Sequence, residues 1–103
     1  MPEVRVRVRW PDQSTSSVYS PSTVVKEYFE AGAVYELEDF VARARRALLA
    51  ASERVRMKYG YACSRAMDEL AGIEAAAVRY ASPAAHAQVT IEALEEETRE
   101  PGR

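Results

Sequence analysis

One cysteine, Cys63, and one histidine, His86, are all this 103-residue chain offers of the side chains most used for disulfides, metals and proton transfer. A lone thiol cannot close an intrachain disulfide, which fits a reducing compartment. A lone histidine with no cysteine or carboxylate at ligand spacing cannot build a metal site, so neither metal nor cofactor is expected. No apolar run approaches the roughly 20 residues that cross a bilayer. The opening MPEVRVRVRW alternates and lacks the continuous apolar stretch of a signal peptide. These absences predict a cytoplasmic protein. Net charge is only −2, so neither nucleic acid nor a membrane is an expected partner. With four glycines in all, the chain has no glycine-rich phosphate loop, and it has no nucleophile elbow.

What is present is globular in kind: 48% apolar and 29% charged, enough for one domain and one core. Val4, Val6, Val8 and Trp10 alternate with Arg5, Arg7 and Arg9, the period-2 signature of a half-buried strand. Pro11-Asp12-Gln13 reads as a turn, and Ser14 to Ser20 as the returning strand of a hairpin. Ser20-Pro21 resembles an N-cap with proline at the first helical position, opening a short helix through Val24, Val25, Tyr28 and Phe29 that stops near Gly32.

The strongest element spans Leu37 to Tyr59. Leu37, Phe40, Val41, Ala44, Leu48, Ala51, Val55 and Tyr59 recur at three- and four-residue intervals, and Gly60 stands where a left-handed terminator belongs. Ala66, Leu70, Ile73, Ala77 and Tyr80 mark a third helix, closed by Ser82-Pro83. The short link between the two long helices makes them a hairpin. Val89, Ile91 and Ala93 alternate with Gln88, Thr90 and Glu92 as a last strand. Paired with the first, it brings Thr90 and Glu92 to the face of the three arginines. The expected fold is α+β, in the order β-β-α-α-α-β, with a three-stranded sheet covered on one face by the helical hairpin. Residues 1–94 form the domain, and 95–103 an acidic polar tail.

Charge is unevenly spread. Between Phe40 and Arg65 seven cations face one acid, Glu53, and the simplest account is that acids elsewhere in the fold answer them. Arg43 and Arg54, like Arg45 and Arg56, stand eleven residues apart, about three helical turns, so each pair shares a line along the helix. Leu49 and Met57 fall away from the apolar stripe. Exposed apolar residues framed by arginine have the make-up of an interface, which makes Arg45, Leu49, Arg56 and Met57 candidates for contact with a protein partner or a second copy. Arg5, Arg7 and Arg9, with Trp10 and Tyr19 near, have the elements of a phosphate and base grip. An acidic chain with Glu92 beside them favours a solvated, cross-paired sheet face instead.

Cys63-Ser64-Arg65 follows the glycine turn at the start of the third helix. Free amide groups there favour an anion and lower a thiol's pKa, so Ser64 and Arg65 are anion-binding candidates and Cys63 a candidate nucleophile. A buried thiol acting as apolar filler is the competing account, since nothing brings His86 to Cys63 as its base.

The segments MPEVRVRVRWPD, YSPSTVVKEYFEAG and ASERVRMKYGYACSRAMDELAGIEAAAVRYA resemble the small bacterial family named for a mycobacterial nitrogen-starvation response protein. The similarity runs from Met1 to about Leu94, and KYGYACSRAMDEL is its most specific stretch. The resemblance implies a gene-cluster setting, with a nitrilase, a radical-SAM protein, an acetyltransferase-like protein and a flavoprotein, linked to scavenging nitrogen from nitriles or cyanide. It carries no catalytic residue across. Two functions follow: a non-catalytic accessory that binds enzymes of such a pathway through the helical face around Leu49 and Met57 or an open sheet edge, or a small enzyme or carrier whose Cys63 attacks or holds a nitrile- or cyanide-derived species. The single histidine and the lack of a recognisable acid–base pair favour the accessory.

Overall fold

Val4, Val6 and Val8 all point one way and are completely buried, while Arg7 and Arg9 point the other way. That alternation generates β1 (Glu3–Arg9), the second strand of a fully antiparallel sheet. The computed structural model describes residues 3–61, 64–81 and 87–97. Beside β1 they comprise β2 (Thr15–Ser20), a 3₁₀ turn (Thr23–Glu27), β3 (Val34–Glu36), α1 (Leu37–Tyr59), α2 (Ser64–Ala81) and β4 (Gln88–Glu97). The sheet order is β2-β1-β4-β3.

The hairpin between β1 and β2 closes as its residues require. Pro11 supplies the fixed φ of a turn, and Gln13 takes the left-handed conformation at φ 74°. The Asp12 carboxylate accepts hydrogen bonds from the Ser14 amide (2.9 Å) and hydroxyl (2.6 Å). Those bonds, the hydroxyl's above all, hold the Asp12 carboxyl below its ordinary pKa.

The segment after β2 departs from expectation. In place of an α-helix capped by Ser20, Ser22 accepts from the Val24 amide and the turn ends at Glu27. Ser20 is buried and donates to the Ser22 carbonyl at 2.8 Å. Three β-branched residues in a row, Thr23, Val24 and Val25, weigh against extending the helix. Gly32 then turns the chain at φ 85°, and the Gly32 amide bonds to the Ile91 carbonyl at 2.7 Å. This docking creates β3, so the sheet has four strands where three were expected. At three residues β3 is too short to show a period of its own.

β4 contains a second departure. Arg7 pairs with Ala93 but Val8 with Ile91, which leaves Glu92 as the extra residue of a β-bulge. Val89 and Ile91 are buried as expected. Past the bulge the parity switches: Ala93 stands opposite Arg7 on the outer face, and Leu94, opposite Val6, packs against the core. The strand also runs to Glu97, so Glu95, Glu96 and Glu97 pair with β1 and do not begin a tail.

α1 begins without a side-chain cap but with Glu38 and Asp39 in its first turn, where the helix dipole favours anions. It ends at Gly60, at φ 85°, whose amide bonds to the Arg56 carbonyl. Phe40, Ala44, Ala47 and Leu48 turn inward, α2 adds Ala66 and Ile73 to the same core, and Ala51 is buried on the same stripe of α1. Tyr59, expected on the apolar stripe, is half exposed, because burial along α1 stops at Val55.

Candidate functional site

α1 lies between the 3₁₀ turn on one side and α2 on the other, and its two lines of arginine face these neighbours. On the first side Arg43 donates to Asp39 (3.0 Å) and to the Tyr28 carbonyl (3.0 Å), and Arg54 reaches Glu27 at 3.9 Å. On the other, Arg45 donates twice to Glu74 of α2, with the shorter contact 2.7 Å, and Arg56 bonds to Glu53 one turn back. The Arg56 bond holds Glu53 below its ordinary pKa. The excess of cations is thus largely answered by acids of the same fold. Arg46 has no partner among the described residues.

Between these lines α1 presents Leu49, 49% exposed, and Met57, 77% exposed. Arg45 and Arg56 are held at the edges by their carboxylates, so the four expected residues form two apolar knobs flanked by fixed guanidinium groups. The end of the α1–α2 hairpin carries exposed residues beyond these four. Every residue from Arg56 to Tyr61 is exposed, and the Tyr59 and Tyr61 rings lie 6.3 Å apart with Lys58 beside Tyr59. Tyrosines flanking Gly60 at a helix end were the available signal, since a glycine terminator turns the chain out of the packed layer.

Cys63 and His86 lie outside the described residues. Ser64 opens α2 and is exposed. Arg65 stacks its guanidinium 3.8 Å over the ring of Tyr19, which is itself buried and donates to Glu3. One member of the expected anion pair therefore also rests on an aromatic face, a cation–π contact. No group of three or more His, Cys, Asp or Glu among the described residues is placed to hold a metal ion. No helix among them is long and apolar enough to cross a membrane.

The arginines of β1 meet carboxylates, as the strand pairing requires. Arg9 donates to both oxygens of Glu92 (3.1 and 3.3 Å), and Arg7 lies 3.6 Å from Glu95. The Arg9 bond lowers the Glu92 pKa from its ordinary 4.5. A carboxylate whose pKa is lower folded than unfolded contributes stability above its unfolded value and loses it as pH falls through the folded one. Glu92→Gln is therefore expected to lower the urea midpoint at pH 7 and to lie closer to the parent at about pH 3, below the ordinary range of an unfolded glutamate. A gap of equal size at both values would show that the ion pair is not its source.

Aligned against known families, residues 5–94 match the model of the nitrogen starvation-induced protein NitG. The chain belongs to the NitG family. No curated protein and no solved structure matches it. The NitG match takes in the whole exposed face of α1, the tyrosine tip and both arms of the β1–β2 hairpin except Glu3 and Val4. It stops before Glu95.

Proposed function

We propose that this NitG-family protein is a non-catalytic accessory that docks on an enzyme of a nitrogen-scavenging pathway, with the nitrilase of a nitrile- or cyanide-using gene cluster as the partner. The observation that carries this reading is the exposure of Leu49 and Met57 on one outward helix face, between arginines that the fold holds in place. Apolar anchors surrounded by ordered cations match the centre and rim of a protein interface. Of the α1 cations, Arg43, Arg45, Arg54 and Arg56 are paired with carboxylates of the same fold, which leaves Arg46 and Lys58 to favour an acidic partner surface. The family's induction under nitrogen starvation supplies the setting, and the nitrilase link comes from the sequence resemblance.

The test combines purified protein with the purified nitrilase and follows binding by calorimetry. Leu49→Glu places a charge at the centre of the face and is expected to weaken binding at least about a hundredfold, which is about 2.7 kcal/mol. Since Leu49 is half exposed, the variant should keep its thermal midpoint within a few degrees. Undiminished binding by the folded variant would remove this face from the interaction, and no binding by the parent protein would end the reading.

A further inference from the structure

β2 is an outer strand of the sheet, and α2 packs against its C-terminal half while leaving residues 14–17 exposed. Between the two runs an open cleft of about 370 Å³, bordered by β2 residues 14–18 and by Trp10, Gly72, Ile73 and Arg79. The backbone along this border has a definite pattern. The Trp10 amide bonds to the Ser14 carbonyl, so Trp10 and Ser14 are a hydrogen-bonded pair. Antiparallel pairs alternate, which makes Val8–Ser16 and Val6–Val18 bonded pairs as well. Thr15 and Ser17 then direct their amide and carbonyl groups outward, toward the cleft side. Strand edges of this kind are usually blunted by lysine, proline or a covering element. Here Thr15, Ser16 and Ser17 are small and exposed.

The far wall is shaped to leave room. A Cβ added to Gly72 would meet nothing within 4 Å. The floor is apolar where Ile73 and Val18 meet, and Trp10 is fixed there by donating to the Ser16 hydroxyl at 2.8 Å. The charges are ordered along the cleft. Arg65 lies on Tyr19 and Tyr80 donates to Asp12, so α2 runs opposite to β2. Asp68 and Glu69 accordingly border the end near Val18, and Arg79 borders the end near Ser14.

We propose that this cleft receives an extended segment of a protein partner, which joins the sheet as a fifth strand beside β2. The outward groups of Thr15 and Ser17 supply its main-chain hydrogen bonds, and the gap over Gly72 takes its inward side chains. An antiparallel segment enters with its N-terminal end at Asp68 and Glu69 and its C-terminal end at Arg79. The matching sequence is therefore basic first, apolar in alternate middle positions and acidic last. This deepens the accessory reading by adding a second surface, separate from Leu49 and Met57.

The test titrates the isotope-labelled full chain with a synthetic peptide of alternating Thr and Val, with Lys at its N-terminal end and Asp at its C-terminal end. The same composition in reverse order serves as the control. The Thr15 and Ser17 amides are expected to shift, and the reversed peptide to bind about tenfold more weakly. Gly72→Gln fills the cleft without a clash, and Ser17→Pro removes one outward amide at an edge position that tolerates proline. Each is expected to abolish the shifts while leaving the rest of the spectrum in place. An absence of shifts, or shifts that survive Gly72→Gln, would overturn the proposal. Shifts confined to Leu49 and Met57 would also overturn it, while sparing the helical docking face. Self-association of the free protein that Ser17→Pro relieves would overturn it in favour of a second copy on the same edge.

Discussion

Replacing Phe40 by alanine is expected to cost about 3–5 kcal/mol of folding stability. Phe40 is 1% exposed at the point where the layers meet. Its ring stands edge-on to Trp10 at 5.5 Å, at 83°, and packs against Phe29 at 5.4 Å. Truncation removes the transfer energy of a benzyl group and leaves a void bounded by Val6, Leu48 and Ile73, elements too well fixed to collapse into it. A domain of this size holds about 5–15 kcal/mol in all. The thermal midpoint should therefore fall by about 15 °C or more. Urea unfolding of both proteins checks it, and a loss under about 1 kcal/mol would mean that Phe40 is not a keystone of this core. Phe40→Leu, which keeps much of the volume, should lose less than half as much.

Trp10→Ala is expected to cost a similar amount, about 3–5 kcal/mol, by a different route. Trp10 stacks on Tyr80 with centroids 5.6 Å apart and planes 16° from parallel, and so ties the end of α2 to the β1–β2 hairpin. Its indole N–H is matched to Ser16 and the Tyr80 hydroxyl to Asp12. Removing the ring releases both the helix end and one border of the β2–α2 cleft. The two aromatic losses should not add, because Trp10 and Phe40 touch. A double variant is expected to lose less than the sum of the singles. Strict additivity, measured by the same urea titrations, would show that the edge-on contact contributes nothing beyond area. Trp10→Phe separates ring from donor, and it should recover more than half of the loss if packing dominates.

These two residues illustrate how unevenly the chain can be read. Phe40 belongs to a helical stripe whose period is visible over six turns, so its burial follows from spacing alone. Trp10 continues the β1 alternation and its inward direction is equally plain. Its partner Tyr80, seventy residues away, is not. The exposed pair Leu49 and Met57 was legible for the same reason as Phe40: a helix with a known buried stripe has a known outward face. The cleft beside β2 was not. It arises from the angle at which α2 crosses the strand and from the missing side chain of Gly72, neither of which has a local sequence signal. Thr15, Ser16 and Ser17 read only as unremarkable strand residues, because what distinguishes them is the absence of a neighbouring strand.

The sequence by itself determined the elements whose patterns are long or strictly periodic: β1, the two long helices, the Gly60 terminator, the start of β4 and its pairing with the arginine face. Hydrophobic period and glycine conformation are local properties, and the chain carries them whatever else it touches. The tertiary structure alone decided β3, the short 3₁₀ turn, the bulge at Glu92 and the side on which Ala93 and Leu94 fall. β3 exists because Ile91 exchanges backbone bonds with Gly32 and Ala33. Glu92 bulges where Arg9 grips its carboxylate and Leu94 must still reach the core. Each of these depends on a partner from a distant part of the chain, and a distant partner leaves no period to read.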